Sequence, residues 1–387
     1  MCRKETWRSN AFGTVPGSCH RQAFLFFQSL VRMVTMSNLM DLSNCTLCPR
    51  ECRVNRTAGE LGFCGIPAVI RAARAALMYY EEPCISGSSG SGAVFFTGCS
   101  LGCVFCQNAA ISSGLRAGAS APVFSRSAHT PSTDSHRNAS DPAASDSASF
   151  VKGVELSAAQ LSDVMLRLQE QGAANINLVT PSHVLHVVIP ALEDAKAHGL
   201  SIPVVYNTSS YEKADALRLL DGLIDIYLPD LKYHSESLAA SYSHAPNYPE
   251  TARAAIAEMV RQCPEPLFAD GSHSLDDGDE TPPMKRGVIV RHMVMPGHTE
   301  DSKAVIQELY QTYGDHIFLS ILNQYTPMPQ CKDDPLLSRP VTKKEYDEVV
   351  DFAISLGVQN GFLQEGGTIS QSFIPTWDGT GLTEFSQ

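Results

Sequence analysis

The run Ala93-Val94-Phe95-Phe96-Thr97-Gly98-Cys99-Ser100-Leu101-Gly102-Cys103-Val104-Phe105-Cys106-Gln107-Asn108 decides how this chain is read. An apolar strand ends at Thr97, and three cysteines follow at C-x3-C-x2-C spacing with an aromatic before the last. Three thiolates fill three corners of a [4Fe–4S] cube, whose full ligation takes four, so one iron is left open for a small molecule. Structural zinc wants four protein ligands and fits a lone triplet less well. Free cysteines also pack as small hydrophobes. The glycines and polar residues around these three, however, do not read as a continuous core segment.

Outward from this run, strand and helix alternate. Apolar strand runs are expected at Ala93–Thr97, Asn175–Thr180, Pro203–Asn207, Leu223–Leu228, Gly287–Met295, Ile317–Leu322 and Gly361–Gln364. Helical periodicity fills Ser157–Gln171, His183–His198, Pro249–Gln262, Glu300–Tyr313 and Thr342–Leu356, with Gly172 and Gly199 where C-terminal caps belong. Such alternation predicts an α/β fold with a parallel sheet, either a barrel or a doubly wound sheet. Polar residues follow the strands at Thr180-Pro181-Ser182, Asn207-Thr208-Ser209, Asp230-Leu231-Lys232, Pro296-Gly297-His298 and Asn323-Gln324-Tyr325. In parallel α/β folds the strands' carboxyl ends gather at the active site. The cysteine triplet and these clusters are therefore expected around one cavity.

A second cysteine group precedes the first. Cys45, Cys48 and Cys52 stand at C-x2-C-x3-C spacing, and Cys64 follows in Gly62-Phe63-Cys64-Gly65. Four thiolates complete either a tetrahedral zinc site or a [4Fe–4S] cluster. Arg50, Arg53 and Arg56 would suit the neighbourhood of such a net-negative site. Cys84, Cys263 and Cys331 stand alone and read as structural.

The 387 residues suffice for a large core, and the net charge of -12, with no dense basic block, argues against nucleic acid and anionic membrane as partners. No apolar run reaches the roughly 18 residues of a membrane span. Of twelve cysteines, eight lie within Cys45–Cys106. Their close spacing favours metal over disulfides and points to a reducing, cytoplasmic setting. Residues 1–40 read as a disordered leader or a mis-assigned start, and 41–92 as a Cys-rich lobe with a short helical stretch around Val69–Tyr80. Residues 93–365 read as the main α/β body and 366–387 as a tail. Polar insertions are expected at 113–150 and 270–285, and their His129, His136 and His273 are too dispersed for a ligand set.

The motif order resembles the pyruvate formate-lyase activating enzyme-like family of the radical S-adenosylmethionine (SAM) superfamily. The resemblance is carried by Cys45–Gly65, Glu81–Asn108, Ala174–Pro181, Val204–Tyr211, Asp225–Tyr233, Val288–Asp301 and Asn323–Pro327. It implies an incomplete (β/α)6 TIM-type barrel with a site-differentiated cluster on Cys99, Cys103 and Cys106. It also implies SAM chelating the open iron, and reductive cleavage of SAM to a 5′-deoxyadenosyl radical that abstracts hydrogen from a substrate. A low-potential donor such as flavodoxin or ferredoxin would supply the electron, and a glycyl-radical enzyme is the implied partner. Carried over by position, Asn207, Thr208, Ser209, Asp230, Lys232, Arg291 and His298 are candidate SAM contacts. Glycyl-radical activating enzymes carry Gly-Gly-Glu-Pro after the second strand. Here Asn177-Leu178-Val179-Thr180-Pro181 stands instead, which leaves the SAM amino group to backbone carbonyls or the Thr180 hydroxyl. Gln324 stands near where those enzymes use a histidine.

Two other readings remain open on sequence. One is a radical SAM enzyme with a different substrate. The other is a Cys-rich metal-binding or redox-sensing protein without SAM chemistry.

Overall fold

The computed structural model describes residues 39–112, 151–275, 281–364 and 374–385. The expected leader, except its last two residues, and the insertion at 113–150 lie outside this range, as do His129 and His136. Among the described residues ten strands form the framework: β1 Ile70–Met78, β2 Ser91–Phe96, β3 Val154–Leu156, β4 Ile176–Val179, β5 Val204–Thr208, β6 Ile226–Pro229, β7 Leu267–Phe268, β8 Met284–Met293, β9 Phe318–Leu322 and β10 Gly361–Leu363. They order as β10-β9-β8-β6-β5-β4-β2-β1-β3, with β7 paired to β8. Neighbours from β2 to β10 run parallel, while β1 is antiparallel to both β2 and β3. The parallel strands follow one another in chain order without reversal. That order excludes a doubly wound sheet, in which the strand order turns back at a switch point.

Nine helices accompany the strands among the described residues. They are α1 Pro83–Ser86, α2 Ala109–Ser112, α3 Ala158–Glu170, α4 Leu185–Ala197, α5 Ala214–Arg218, α6 Glu236–Ser243, α7 Tyr248–Gln262, α8 Thr299–Tyr313 and α9 Lys343–Leu356. Local sequence sets their ends. Ser157 and Gln160 close a capping box on α3, and Thr342 and Glu345 close another on α9. Leu161, Val164, Met165 and Leu168 form the buried stripe of α3 that the 3.6-residue period predicts.

One expectation fails. Val69–Tyr80 is not helical; Ile70–Met78 is a nine-residue strand. Its Ala-, Arg- and Leu-rich sequence has high helix propensity, but pairing with β2 and β3 overrides it. The second polar insertion is also shorter than expected, because β8 already begins at Met284 and pairs with β7.

The two faces of the sheet differ. Ile176, Leu178, Val204, Tyr206, Tyr227, Val288 and Val290 share one core with the buried stripes of α3, α4, α5, α7, α8 and α9. Their alternate neighbours Val205, Ile226, Leu228, Ile289 and Phe318 form a separate cluster without a long helix over it. A parallel sheet covered by helices on one face must shield the other in some other way, and this sheet curls. Arg291 on β8 and Glu81 after β1 are five strand steps apart, roughly 24 Å on a flat sheet. Side chains built from ~1.5 Å bonds cannot span that distance, yet the two groups meet at 3.1 Å. On the inner face the residues change character along the strands. Apolar Val205, Leu228 and Ile289 give way to Asn207, Asp230 and Arg291, two positions further along each chain.

The cysteine-rich segment joins the same core through Leu42, Leu47 and Ile66. Residues 374–385 lie against β1. The Ala75 N–H donates to the Thr380 carbonyl at 2.9 Å, Arg74 pairs with Asp378 at 3.0 Å, and Trp377 meets Phe95 edge-on at 5.2 Å.

Candidate functional site

The inner face encloses a cavity of about 380 Å³. Cys99, Cys103 and Cys106 line it from the loop after β2, and Thr180 lines it from the end of β4. Asn207, Thr208 and Ser209 contribute from the end of β5, Asp230 and Lys232 from the end of β6, and Arg291 from β8. His298 does not line it. That ring instead bonds the Tyr242 hydroxyl at 2.9 Å beside the start of α8. His273 is likewise elsewhere, against the Pro266 carbonyl at 2.7 Å. Gln324 lines the cavity, and its carbonyl accepts from the Gln107 side chain at 3.0 Å, which joins the loops after β2 and β9.

Backbone geometry brings the loops together. Thr180 has φ +58, a left-handed conformation rare for a β-branched residue, and its N–H donates to the Asn207 carbonyl at 2.8 Å. Such strain gathers where a site over-determines the chain.

The cavity wall is a buried chain of alternating charge. Lys232 Nζ lies 2.6 Å from Asp230 Oδ2, Asp230 Oδ1 lies 3.1 Å from Arg291 Nε, and Arg291 Nη1 lies 3.1 Å from Glu81 Oε2. Asn177 donates to Glu81 Oε1 at 3.1 Å, and Arg291 also donates to Asn207. Sequence reasoning missed Glu81, although the residue stood in a run quoted for the resemblance. Met78 of antiparallel β1 pairs with Ser91 at the start of β2, so the chain enters the inner face from the end opposite the cysteine loop. Glu81, three residues past the end of β1, thus brings a carboxylate against Asn177 of β4.

Electrostatics follow from this burial. Burial raises the Glu81 carboxyl above its usual range despite the opposing pull of Arg291. Burial also acts to raise Asp230, but Lys232 and Arg291 outweigh it and hold the carboxyl below its ordinary value. Further along the same wall Thr208 bonds Glu212, whose other oxygen accepts from Tyr206 at 2.6 Å. Burial pushes Glu212 up to about 7.

The thiols have a donor environment suited to sulfur anions. The Leu101 N–H donates to Cys99 Sγ at 3.4 Å and the Ser243 hydroxyl to Cys103 Sγ at 3.1 Å. Burial pushes the Cys103 thiol up to about 12, against the pull of Lys232. A buried thiol of this kind ionises when a cation is bound to it. Among the described residues, no three Cys, His, Asp or Glu side chains are gathered to hold a single metal ion. A cube differs, because each thiolate sits on its own iron. Three half-buried sulfurs lining one cavity beside a cation fit that group.

Cys45, Cys48, Cys52 and Cys64 also lie near one another. Burial pushes Cys48 up to about 12, and the other three add to the rise. Of the arginines beside them, Arg56 Nη1 is 3.8 Å from Cys45 Sγ, whereas Arg53 pairs with Glu51 at 3.7 Å on the surface. Arg50 points away, to the triplet loop. Among the described residues all ten cysteines are free, Cys84, Cys263 and Cys331 being buried in the interior, and no helix is long and apolar enough to cross a membrane.

No family model matches the chain. Over 325 residues, 82% of this chain and 78% of the relative, the sequence is 24% identical to an uncharacterized protein of Methanocaldococcus jannaschii. Among solved structures, a domain of a pyruvate-formate lyase-activating enzyme from Bacteroides vulgatus overlaps 47% of this chain and 91% of its own, at 11% identity and a TM-score of 0.31. SuiB of Streptococcus suis bound to S-adenosylmethionine overlaps 70% of this chain at 10% identity and a TM-score of 0.37. The overlap covers 48% of SuiB, so this chain matches about half of that protein's length.

Proposed function

We propose that this chain is a radical SAM enzyme in which Cys99, Cys103 and Cys106 hold a site-differentiated [4Fe–4S] cluster. The curled sheet is, on this reading, an incomplete (β/α)6 barrel with β10 added at one edge. The observation that carries the reading is the placement of the thiols. Three half-buried sulfurs on the loop after β2 line a cavity whose wall is made of polar and charged strand ends. When bound, the cluster and SAM supply reductive cleavage of the sulfonium carbon–sulfur bond and hydrogen-atom abstraction.

The chain's own residues do the rest. Thr180, Asn207, Thr208 and Ser209 offer hydrogen bonds to the polar parts of SAM. Lys232 places positive charge toward Cys103 and Cys106. Arg291 fixes Asp230 and Glu81, so the two carboxylates keep their positions when the cavity fills. Phe95, Phe105, Val179 and Met293 line the remainder and exclude water from the reacting groups.

Cys45, Cys48, Cys52 and Cys64 are read as a second metal site, holding an iron–sulfur cluster or zinc. A glycyl-radical enzyme as target, flavodoxin or ferredoxin as donor and a cytoplasmic location complete the proposal. Asn177-Leu178-Val179-Thr180-Pro181, standing where the activating enzymes use Gly-Gly-Glu-Pro, favours as a second reading a radical SAM enzyme acting on a different substrate.

The test is anaerobic reconstitution with iron and sulfide, reduction, and assay for 5′-deoxyadenosine from SAM. A filled cluster that yields none refutes both enzyme readings and leaves the metal-binding one. Incubation with a glycyl-radical enzyme from the same organism, followed by EPR for the glycyl radical, separates the two substrates.

A further inference from the structure

Arg50 stands between Cys48 and Cys52 in sequence, but its side chain leaves that group. Nε donates to the Ser100 carbonyl at 2.8 Å and Nη2 to the Leu101 carbonyl at 2.7 Å, both inside the Cys99–Cys106 loop. Nη1 donates to the His244 carbonyl at 2.6 Å, and Nη2 also reaches the Ser243 carbonyl at 3.2 Å. These two carbonyls lie at the C-terminal end of α6, where unpaired carbonyls and the helix dipole favour a cation. Ser243 is the residue whose hydroxyl donates to Cys103 Sγ. One guanidinium therefore joins the backbone after Cys99 to the residue that hydrogen-bonds Cys103.

Phe63 braces the guanidinium from behind. Its ring centroid lies 3.7 Å from the Arg50 Cζ, and its N–H donates to Cys52 Sγ at 3.2 Å. The same ring packs on Gly102, where an added Cβ would come within 2.9 Å of it. The next residue, Cys64, has its carbonyl 2.6 Å from where a Cβ on Gly98 would stand. Gly98 and Gly102, with φ of +84 and +81, are thus bare where Phe63-Cys64 presses on the triplet loop.

We propose that Arg50, braced on Phe63, is a positioning residue for the Cys99–Cys103–Cys106 site, holding Ser100–Leu101 and Ser243 so that the three sulfurs present themselves to a cluster. This rests on the reading of the triplet as a cluster site. It makes cluster binding depend on the fold of the Cys45–Cys64 segment, beyond whatever metal that segment holds. Lysine cannot replace the fork, because four carbonyls in two segments need the planar spread of guanidinium donors.

The test uses the full chain, reconstituted anaerobically with ferrous iron and sulfide. A variant with Cys99, Cys103 and Cys106 all changed to alanine measures the metal held by the other cysteines, and the difference from wild type is the triplet's iron. Arg50→Ala should lower triplet affinity by about 10–100-fold, the usual effect of removing support from metal ligands. It should also alter the EPR spectrum of the reduced cluster, with Arg50→Lys falling short of rescue. Lys213→Ala serves as control. Lys213 ties the same segment to the body through the Thr46 carbonyl at 2.7 Å and Glu51 at 2.6 Å without touching the triplet loop. That variant should keep the wild-type spectrum. Phe63→Leu and Arg50→Lys carry the test if circular dichroism shows Arg50→Ala unfolded. Wild-type iron and spectrum in these variants overturn the proposal, as does equal damage from Lys213→Ala. Wild type holding no more iron than the triple variant removes the cluster reading itself. Triplet iron without 5′-deoxyadenosine removes the SAM reading but still tests the clamp.

Discussion

Arg291 and Glu81 meet at 3.1 Å inside the curled sheet, although 210 positions separate them in the chain. Both side chains are mostly buried, at 15% and 17% exposure; Arg291 is the cation beside Glu81, and it also pairs with Asp230. Removing one partner strands a buried charge, which costs roughly 3–5 kcal/mol. Arg291→Met is therefore expected to lower unfolding free energy by about that amount in urea titration. Adding Glu81→Gln should recover part of the loss. A double variant no more stable than Arg291→Met would show that the pair is not coupled.

The cysteines should divide by position. Alanine at Cys99, Cys103 or Cys106 is expected to abolish 5′-deoxyadenosine formation and lower bound iron. Alanine at Cys84 or Cys263, both buried, should cost stability and leave iron unchanged. Iron analysis beside thermal unfolding checks this. Equal iron loss from both sets would remove the assignment of the triplet.

Gly98→Ala should be severe. At φ +84 a Cβ is strained by about 1–2 kcal/mol. It would also stand 2.4 Å from Ile66 Cγ1 and 2.6 Å from the Cys64 carbonyl, and overpacking adds roughly 1–3 kcal/mol. Gly172→Ala, at a helix end with nothing within 4 Å of the new Cβ, should pay only the backbone strain. Denaturation midpoints of the two variants compare them directly.

Glu212 should give stability a pH slope. Its folded pKa of about 7 lies above its ordinary 4.5, because burial disfavours the charged form. Between these values the unfolded chain has lost the proton and the folded chain has kept it, so stability falls as pH rises. The contribution is full below pH 4.5 and gone above about 7, a change of roughly 3 kcal/mol. Glu212→Gln keeps hydrogen-bonding capacity toward Tyr206 and Thr208 and should flatten that slope. An unchanged slope in the variant assigns the pH dependence to other groups.

Periodicity and spacing carried much of the fold. Every parallel strand expected from apolar runs is present, because strands buried on both faces read as continuous hydrophobic runs. The helices expected over Ser157–Gln171 and Thr342–Leu356 are present, and each starts at a capping box that is satisfied locally, within four residues. β1 was misread because Ala-rich segments favour helix until neighbours supply a ladder. Nothing local distinguished His298, whose ring is satisfied by Tyr242 outside the cavity.

Cys99, Cys103 and Cys106 were legible from the chain alone, since a cluster motif on one short loop is written in consecutive residues. So were the polar strand ends, because parallel strands place their carboxyl termini together. Other features were not legible. Glu81 arrives on the loop that follows an antiparallel strand, and Arg50 leaves its own cysteine group to hold another. Both depend on how the sheet curls and where a long side chain ends after packing. Those outcomes are fixed by burial and charge pairing between residues far apart in sequence.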